Sequence, residues 1–461
     1  MKRFSPKWKS VLAMVCATAM IFGLTACSQG SSGTTASTKT KSTEYEKDLT
    51  SGSEVDLTLW HSMGGTNGAA LNSIVNDFNT KNSGIVKVTA QYQGKYDDAI
   101  NKLKTAETAG SGPNLMQIYE LGLRFMIDSG WIIPIQDAVD ASSWDIKQIE
   151  PNLAAYYTVN KKLYGMPFNS STPILYYNKD VFKKAGLDVD NPPQTYDKII
   201  EDAKIIKSKT GVDGLGQYNY GWWFDQCFDN LKTPMFDNGN GRTKNPTKVV
   251  GQATLTKWMT VEKSLYTEGA SPAYAIKSDD VNSAFESGKL AMMIESTAGL
   301  TGYLKGINGQ FQLGCGYYPT TNSSGQIGVS IGGACLYMFK SNDQRTRIAE
   351  WMFIKYCVTP SVQAFWNAAS GYFPVNVNAK NEQTFKDNVA KYPQFQVAID
   401  QLHKSSPANC GFLCTIGTQV RKIEETDMAK VINNQMSIAD ATKDITSQVN
   451  SALADYNEAN S

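Results

Sequence analysis

A strand–turn–helix–strand stretch at residues 55–92 decides the fold class, and it reads VDLTLWHSMGGTNGAALNSIVNDFNTKNSGIVKVTAQY. Residues 55–60 alternate apolar and polar side chains, which is the pattern of a strand. Apolar residues then recur at helical spacing between the turn at 64–67 and the break at 82–84, which predicts a helix. Residues 86–92 alternate again and predict a second strand. This order of elements predicts an α/β domain with a largely parallel sheet.

The alternation of predicted strands and helices continues along the chain. Further strands are predicted at residues 115–119, 174–177, 290–294 and 331–339, and further helices at 99–110, 179–186, 195–207, 252–267, 343–358 and from 419 onward. An aromatic-rich segment at 218–224 is predicted to be a loop. Two strand–helix series predict two lobes, and the ligands of such sheets bind at the carboxyl ends of the strands.

The length and charge of the chain exclude several classes of protein. With 461 residues, the chain has room for two domains and a cleft between them. Its 44 basic and 43 acidic residues leave a net charge of +1, without the strong positive field that holds nucleic acid. Its 41% hydrophobic and 19% charged residues are typical of a soluble globular protein. We therefore expect no nucleic-acid partner.

The N-terminus predicts export and a lipid anchor. Basic residues open the chain, and the apolar run at 11–24 is too short to span a bilayer comfortably, so residues 1–26 are interpreted as a signal peptide. The sequence LTAC at 24–27 resembles the lipobox of bacterial lipoproteins, which implies that Cys27 is acylated. The alternative is a cysteine that merely follows a small-residue cleavage site. Residues 27–54 are predicted to be the lipidated cysteine and a disordered tether.

Six cysteines remain beyond the anchor, namely Cys227, Cys315, Cys335, Cys357, Cys410 and Cys414. Pairing among them is possible in an exported protein but is not required in a domain this large. Cys335 and Cys357 lie in apolar runs and are predicted to be ordinary core thiols. Cys410 and Cys414 have only His403 as a histidine partner and lack the spacing of a zinc site. We therefore expect neither a metal nor a cofactor.

Side chains suited to binding a polar solute gather at the predicted strand ends, namely Trp60, His61, Tyr92, Tyr96, Glu120, Ser296 and Thr297. Aromatic rings stack on the apolar faces of sugars and polyols, while carboxylates and hydroxyls bond to hydroxyls that leave water. Backbone N–H groups around Ser296 are predicted to suit an anion. No nucleophile with a neighbouring base stands out, so we expect no catalytic residues and no enzymatic activity.

Five short segments carry a family resemblance: WHSM at 60–63, QIYE at 117–120, PFNSSTPILYYNKD at 167–180, IGGA at 331–334 and GYFP at 371–374. On these segments the chain resembles the extracellular solute-binding proteins of the maltose-binding class, and within that class the glycerol-3-phosphate-binding members. The resemblance implies a two-lobed, type II periplasmic-binding-protein-like fold with a ligand cleft between the lobes. It also implies three hinge crossings, near Ser170, Gly332 and Gly371. Lobe 1 would comprise residues 55–170 and 333–371, and lobe 2 residues 171–332 and 372–461.

The same resemblance implies a set of ligand-binding residues: Tyr96, Glu120, Ser171, Trp222 as a stacking ring, Ser296, Gly333, Tyr372 and Arg421. Two positions depart from the pattern of the family. Asn219 stands where a second tryptophan is expected, and Glu295 places beside Ser296 a charge that would repel a phosphate. These departures bear on the identity of the solute.

By resemblance, the protein is an extracellular solute-binding lipoprotein of an ABC importer. It would capture glycerol-3-phosphate or a related glycerophosphodiester and deliver it by hinge closure to the transmembrane permease subunits. The alternative solute is a sugar or oligosaccharide. The protein is expected to be a monomer on the cell membrane, lipid-anchored and facing outside. A surface adhesin or sensor would use the same fold.

Plainer interpretations of the site residues remain open at this point. Glu120 could be a solvated carboxylate at a helix N-terminus, and Trp222 could belong to the core. Tyr96 and Tyr372 could be edge aromatics packed against one lobe. Arg421 could pair with nearby glutamates on a wet helix face.

A secreted serine hydrolase is the remote alternative from another class of protein. Residues 328–332 match the G-x-S-x-G elbow, and His403 lies downstream. Such an elbow passes from a strand into a helix, whereas residues 334–339 continue as a strand pattern.

Overall fold

A computed structural model describes residues 44–321, 328–406 and 411–460. The strands are β1 Val55–His61, β2 Val86–Tyr92, β3 Leu115–Tyr119, β4 Ile132–Ile133, β5 Thr158–Val159, β6 Lys162–Leu163, β7 Met166–Ser171, β8 Pro173–Asn178, β9 Asp213–Gly216, β10 Leu290–Ser296, β11 Leu313–Tyr317 and β12 Gly332–Phe339. The predicted signal peptide, Cys27, the first part of the predicted tether and Cys410 lie outside the described residues.

The helices are α1 Gly65–Lys81, α2 Tyr96–Thr108, α3 Leu123–Ser129, α4 Ile135–Ser142, α5 Pro151–Tyr157, α6 Lys179–Ala185, α7 Tyr196–Thr210, α8 Trp222–Leu231, α9 Asp237–Asn240, α10 Gln252–Thr267, α11 Ser278–Glu286, α12 Leu300–Ile307, α13 Gln344–Cys357, α14 Pro360–Ser370, α15 Gln383–Lys391, α16 Gln394–Lys404, α17 Gly417–Ile432 and α18 Ile438–Ala459. Short 3₁₀ turns begin at Glu120 and Thr297. Among the described helices, none is long and apolar enough to cross a membrane.

The first sheet has six strands in the order β2-β1-β3-β12-β4, with β7 also paired to β12. Strand β1 is parallel to β2 and β3, because α1 and α2 supply the crossover connections that parallel strands need. Strand β12 is antiparallel to β3, β4 and β7. The prediction of a largely parallel sheet therefore holds for the first three strands and is wrong for the rest of the sheet.

The second sheet has four strands in the order β11-β8-β10-β9. Strand β8 is antiparallel to β10 and β11, and β9 is parallel to β10. The chain leaves the first sheet at the end of β7 and enters the second at the start of β8, with only Thr172 between them. It returns between β11 and β12. The predicted lobe boundaries, 55–170 with 333–371 and 171–332 with 372–461, stay a prediction.

The core fills with large side chains that the sheets cover. Trp223, Trp258 and Trp351 are completely buried. Cys335 and Cys357 are also completely buried, so their prediction as core thiols is confirmed. The cysteines that the structure describes are free thiols.

The chain is ordered earlier than predicted, because a segment before β1 packs onto α13. We call residues 44–54 the N-terminal strap. Tyr45 is only 5% exposed, and Glu44 pairs with Arg347 at 2.5 Å. Asp48 pairs with Lys355 at 2.5 Å. The predicted disordered tether to residue 54 is therefore wrong from residue 44 onward.

Two local predictions also need correction. Residues 218–224 are predicted to be a loop, but Trp222 begins α8, so the aromatic residues from 222 onward form its first turn. Strand β7 is absent from the prediction because all six of its residues are buried, and a strand buried on both faces shows no alternation.

Candidate functional site

A buried ion cluster joins three distant segments. Glu120 follows β3, Asp225 lies in the first turn of α8 and Arg421 lies on α17. Arg421 Nη2 donates to Glu120 Oε1 at 2.9 Å, and Arg421 Nε and Nη2 donate to Asp225 Oδ2 at 3.1 and 2.5 Å. Each of the three side chains is 5–6% exposed. We call these three residues the Arg421 cluster.

A glycine lets α17 approach the start of α8 closely enough to form this cluster. A Cβ atom on Gly221 would lie 2.4 Å from Arg421 Cβ, so a larger residue would force the two helices apart. Glu425, one turn beyond Arg421, accepts a hydrogen bond from Gly221 N at 3.0 Å. Asn219 Nδ2 donates to Glu425 O at 2.7 Å. The contact between α8 and α17 is therefore fixed from both sides of the arginine.

The cluster contains more acid than base. Burial raises the pKa of Glu120 to about 7, although Arg421 opposes the shift. Burial also raises the pKa of Asp225, again against Arg421. Burial lowers the pKa of Arg421, but the carboxylates of Asp225 and Glu120 outweigh it and raise that pKa well above its usual range. Glu424 on α17 is completely buried, and burial followed by Asp225 raises its pKa strongly. Because the pKa of Glu120 is about 7, this carboxyl is partly protonated at neutral pH.

A second group of polar side chains links the first sheet to the segment after α14. Asn169 on β7 donates from Nδ2 to the Tyr96 hydroxyl at 3.2 Å and accepts from Gln117 Nε2 at 2.7 Å. The Tyr372 hydroxyl interacts with both Tyr96 and Asn169. Tyr96 also stacks on Tyr119 with centroids 4.9 Å apart. The two tyrosines thus pack against the lobe and meet each other, so the edge-aromatic and site interpretations are compatible.

The glycine pair at the start of β12 allows β12 and β7 to approach each other closely. Gly333 has a φ of +89°, and a Cβ there would lie 1.9 Å from Asn169 O. Gly332 pairs in register with Ser171 at the end of β7. A side chain at Gly333 would therefore push β12 off β7 beside Asn169.

Trp222 is largely packed in the structure. It is 5% exposed, and its ring stacks on Trp223 with centroids 5.5 Å apart. A Cβ on Gly332 would lie 2.6 Å from the Trp222 ring. Among the described residues, none accepts a hydrogen bond from its buried Nε1. One face of the predicted stacking ring is thus already covered, and the core interpretation of Trp222 describes this arrangement.

The backbone around Ser296 has its N–H groups already engaged. Ser296 N donates to Glu295 Oε1 at 2.7 Å, Thr297 N donates to Thr172 O at 3.0 Å, and Ala298 N donates to Ser296 Oγ at 3.2 Å. Burial raises the pKa of Glu295 to about 7, against the Ser296 N–H. Of the three amides predicted to suit an anion, that of Ser296 therefore donates to a carboxyl group of the protein itself, and the other two donate to a carbonyl and a hydroxyl oxygen.

The structure brings most of the predicted site residues together. Glu120 and Arg421 touch, Tyr96 and Tyr372 meet at Asn169, and Ser171 and Gly333 flank the same strand pair. Ser296 lies near these residues because its neighbour Thr297 donates from N to Thr172 O and packs against Gly371. The solvated interpretation of Glu120 and the wet-face interpretation of Arg421 are wrong, because both side chains are buried.

Three residues at the ends of β1 and β2 have their contacts elsewhere. Trp60 Nε1 donates to Gln91 at 3.0 Å, and Tyr92 is 56% exposed with its ring against His61.

Asp225 and Asn169 were not identified from the sequence. Asn169 lies inside the PFNSS segment, whereas Asp225 lies one turn beyond Trp222, in a segment without a distinguishing signal.

The residues of the hydrolase alternative have separate partners. The Ser330 hydroxyl bonds to Asp229, while His403 Nε2 lies 3.2 Å from Glu150 with its side chain 53% exposed. Ser330 is followed by strand β12 rather than by a helix. This geometry disfavours a nucleophile elbow.

Comparison with known proteins gives one family and one fold. The family model described as "Bacterial extracellular solute-binding protein" matches residues 73–396. The sn-glycerol-3-phosphate-binding periplasmic protein UgpB of Brucella abortus is 29% identical over 417 residues, which are 87% of this chain and 94% of that protein. The protein of the same name from Rhizobium meliloti is 28% identical over the same shares.

Two solved structures show the same architecture. The GacH receptor of Streptomyces glaucescens, solved unliganded and with acarbose, has a TM-score of 0.73 at 21% identity and covers 88% of this chain and 100% of its own. UgpB from Mycobacterium tuberculosis in complex with glycerophosphocholine has a TM-score of 0.72 at 20% identity, with the same coverage. This likeness confirms the predicted two-lobed fold with its cleft between the lobes.

Proposed function

The chain belongs to the bacterial extracellular solute-binding proteins and serves an ABC importer, and we propose that it captures glycerol-3-phosphate or a related glycerophosphodiester in the cleft between its lobes. The Arg421 cluster is the observation that carries this proposal, because it joins the end of β3 in the first sheet to helices α8 and α17, whose residues fall in the proposed second lobe. The relatives named for glycerol-3-phosphate, similar over 87% of the chain, support the solute class.

The residues of the site match the chemistry of a glycerol phosphate. A guanidinium such as that of Arg421 is the natural planar partner for a phosphate in a desolvated cleft. The hydroxyls of Tyr96 and Tyr372, with the amide of Asn169, offer donors and acceptors to glycerol hydroxyls. Ser171, Ser296 and Gly333 complete the proposed ligand-binding set, to which Trp222 belongs only through the part of its ring that Trp223 and Gly332 leave uncovered.

Hinge closure is the proposed mechanism. A solute held by one lobe favours the closed state when the other lobe adds contacts to it, and the closed form docks on the permease. The proposed crossings near Ser170, Gly332 and Gly371 connect the lobes. Gly371 has a φ of +111°, and a Cβ there would lie 2.4 Å from Thr297 O, which supports a tight crossing at this point.

A sugar or oligosaccharide is the second candidate solute. It is favoured by the two carboxylates that already bind Arg421, because a neutral polyol does not need a free guanidinium. The proposed lobe division, the lipid anchor and a monomeric state apply equally to both solutes.

A thermal-shift panel tests the proposed solute class. A ligand that binds only the folded protein adds RT ln(1 + [L]/Kd) to the free energy of unfolding, about 2.7 kcal/mol at a hundredfold excess over Kd. We expect at least one glycerophosphodiester, glycerol-3-phosphate or short oligosaccharide to raise the melting temperature, and inorganic phosphate serves as the control. An unmoved melting temperature across the panel, together with hydrolysis of an ester, would favour the hydrolase instead.

Membrane attachment through Cys27 is the other part of the proposal. Replacing Cys27 with alanine in the full precursor should release the mature protein from the membrane fraction, because the acyl chain is the proposed anchor. Solute affinity should not change, and this measurement serves as the control. Persistent membrane association of the processed variant would contradict the lipid anchor.

A further inference from the structure

Two acidic side chains accept hydrogen bonds from groups that suit an anion: Asp225 from the Arg421 guanidinium and Glu295 from the Ser296 amide. We propose that Asp225 sets the charge preference of the cleft within the proposed solute class: by pairing with Arg421, it makes the cleft bind polyols of zero net charge more tightly than phosphate monoester dianions. This inference rests on the proposed function, because it concerns the same cleft. It separates glycerol-3-phosphate from zwitterionic glycerophosphodiesters and neutral sugars within the proposed solute class.

The geometry around Arg421 carries the first step. A guanidinium binds phosphate best through two parallel N–H groups. In this structure one oxygen of Asp225 accepts from both Nε and Nη2, at 3.1 and 2.5 Å, and Glu120 accepts from Nη2 at 2.9 Å. A phosphate can bind this edge of the guanidinium only by displacing Asp225, and a monoester dianion, which carries one negative charge more than a diester, is repelled more strongly by the displaced carboxylate.

Displacing Asp225 from Arg421 is unfavourable because the carboxylate is buried and has no other hydrogen-bond donor among the described residues. Asp225 is 5% exposed, and among the described residues none donates a hydrogen bond to its other carboxyl oxygen, Oδ1. A carboxylate that loses its partner while buried is strongly destabilised. The position of Asp225 in the first turn of α8, with Gly221 packed against Arg421, holds it on the arginine.

The amides at Ser296 give an independent second observation. Glu295 is 7% exposed, and its carboxylate accepts from the backbone N–H of Ser296 at 2.7 Å. Ser296 immediately precedes the 3₁₀ turn that begins at Thr297. The Arg421 guanidinium and the Ser296 amide thus each donate to a carboxyl group of the protein itself.

The excess of acidic over basic side chains at the site also disfavours a dianionic solute. Three buried acids, Glu120, Asp225 and Glu295, belong to the proposed site, while the base that contacts Glu120 and Asp225 is Arg421. The pKa of Glu120 and of Glu295 is about 7, so both are largely ionised at about pH 8. Like charges in a medium of low dielectric repel strongly, so a dianion meets a barrier that a zwitterion or a neutral polyol does not.

Isothermal titration calorimetry on three proteins tests the proposal at about pH 8, where a phosphate monoester carries close to two charges. The proteins are the wild type, Asp225→Asn and Asp229→Asn. Asp229 is the matched control, since it is a buried carboxyl on the same helix that bonds to Ser330 rather than to Arg421. The solutes are glycerol-3-phosphate, glycerophosphocholine and maltose.

We expect the wild type to bind glycerophosphocholine or maltose and to bind glycerol-3-phosphate at least tenfold more weakly. Asp225→Asn should raise the affinity for glycerol-3-phosphate by on the order of tenfold or more, whereas Asp229→Asn should leave the ranking of solutes unchanged. Glu295→Gln is an additional variant that tests the proposal even where Asp225→Asn does not fold. It should also raise the affinity for glycerol-3-phosphate relative to the other two solutes.

Two results overturn the inference and are distinguishable from each other. Tight binding of glycerol-3-phosphate by the wild type, with no gain in Asp225→Asn or Glu295→Gln, overturns the role of Asp225 and leaves the proposed function standing. Binding of none of the three solutes by any of the proteins contradicts the proposed solute class as well.

Discussion

The Arg421 cluster and the N-terminal strap both join distant parts of the chain through ion pairs, yet they differ in exposure. In the cluster, Arg421 and Glu120 are each 6% exposed. In the strap, the pair of Arg347 with Glu44 is 20% and 22% exposed, and the pair of Lys355 with Asp48 is 22% and 50% exposed. The same chemistry is therefore placed in two different dielectric environments.

This difference teaches what each set of ion pairs can do. Water and dissolved ions solvate an exposed charge that loses its partner, so an exposed ion pair contributes only about 0–1 kcal/mol to the free energy of unfolding. A buried charge has no such replacement, and its loss leaves the remaining partners unpaired. The strap ion pairs thus add modest adhesion to α13, whereas the Arg421 cluster is a site where charge must be matched, either within the protein or by a solute.

Replacing Arg421 with methionine should produce the largest effect. The variant leaves Glu120 and Asp225 buried without a cation, for which a loss of about 3–5 kcal/mol in the free energy of unfolding is typical. Urea denaturation measures this loss, and Lys355→Met in the more exposed strap pair is the control. We expect a loss of at most about 1 kcal/mol from the control. Equal losses in the two variants would remove the distinction between the regions.

Strands and helices could be predicted from the sequence, whereas the ion pairs of the strap and of the Arg421 cluster could not. The strand at 115–119 and the helix at 252–267 have the predicted bounds, because the period of apolar residues is a local property. The strap escaped prediction because its polar composition suggests disorder, and its order comes from contacts with α13, some 300 residues away. Composition does not report such long-range contacts.

The candidate site was predictable in part from the predicted strand ends, which indicated Tyr96 and Glu120, and in part through family resemblance, which added Arg421. The resemblance indicated Glu120 and Arg421, which the structure brings into contact. Asp225 lies 196 residues from Arg421 in sequence, and no local pattern marks it as a partner. The prediction that the Ser296 amides suit an anion failed for a related reason, because the orientation of the Glu295 side chain depends on the fold.

The pH dependence of stability should sharpen the comparison, because burial raises the pKa of Glu120 and of Glu295 from 4.5 to about 7. The folded protein then holds these protons more tightly than the unfolded chain does. Their contribution is fully present below about pH 4.5 and is lost as the pH rises through about 7. We expect the melting temperature to fall between about pH 5 and pH 8.

Each such proton contributes a slope of at most about 1.4 kcal/mol per pH unit. Glu120→Gln should make the slope shallower, because glutamine does not titrate, whereas Lys355→Ala in the strap should leave the slope unchanged. Differential scanning calorimetry across this range measures both. A melting temperature that rises with pH in this window would contradict the raised pKa values of the cleft carboxyls.

Replacing Lys355 with alanine should give the smallest effect and is the most direct test of the exposed side of the comparison. The pair of Lys355 with Asp48 is half exposed on its acidic side, so its loss should lower the free energy of unfolding by about 0.2–1 kcal/mol at low salt. At about 1 M salt the Debye length is only about 3 Å, so the exposed pair should contribute almost nothing. Lys162→Ala, which removes the pair with Asp137 that is 48% and 47% exposed, is the control for an ordinary surface pair. The loss from Arg421→Met should persist at high salt, because ions cannot enter the buried cluster, and equal salt sensitivity of all three variants would show that the cluster is open to solvent.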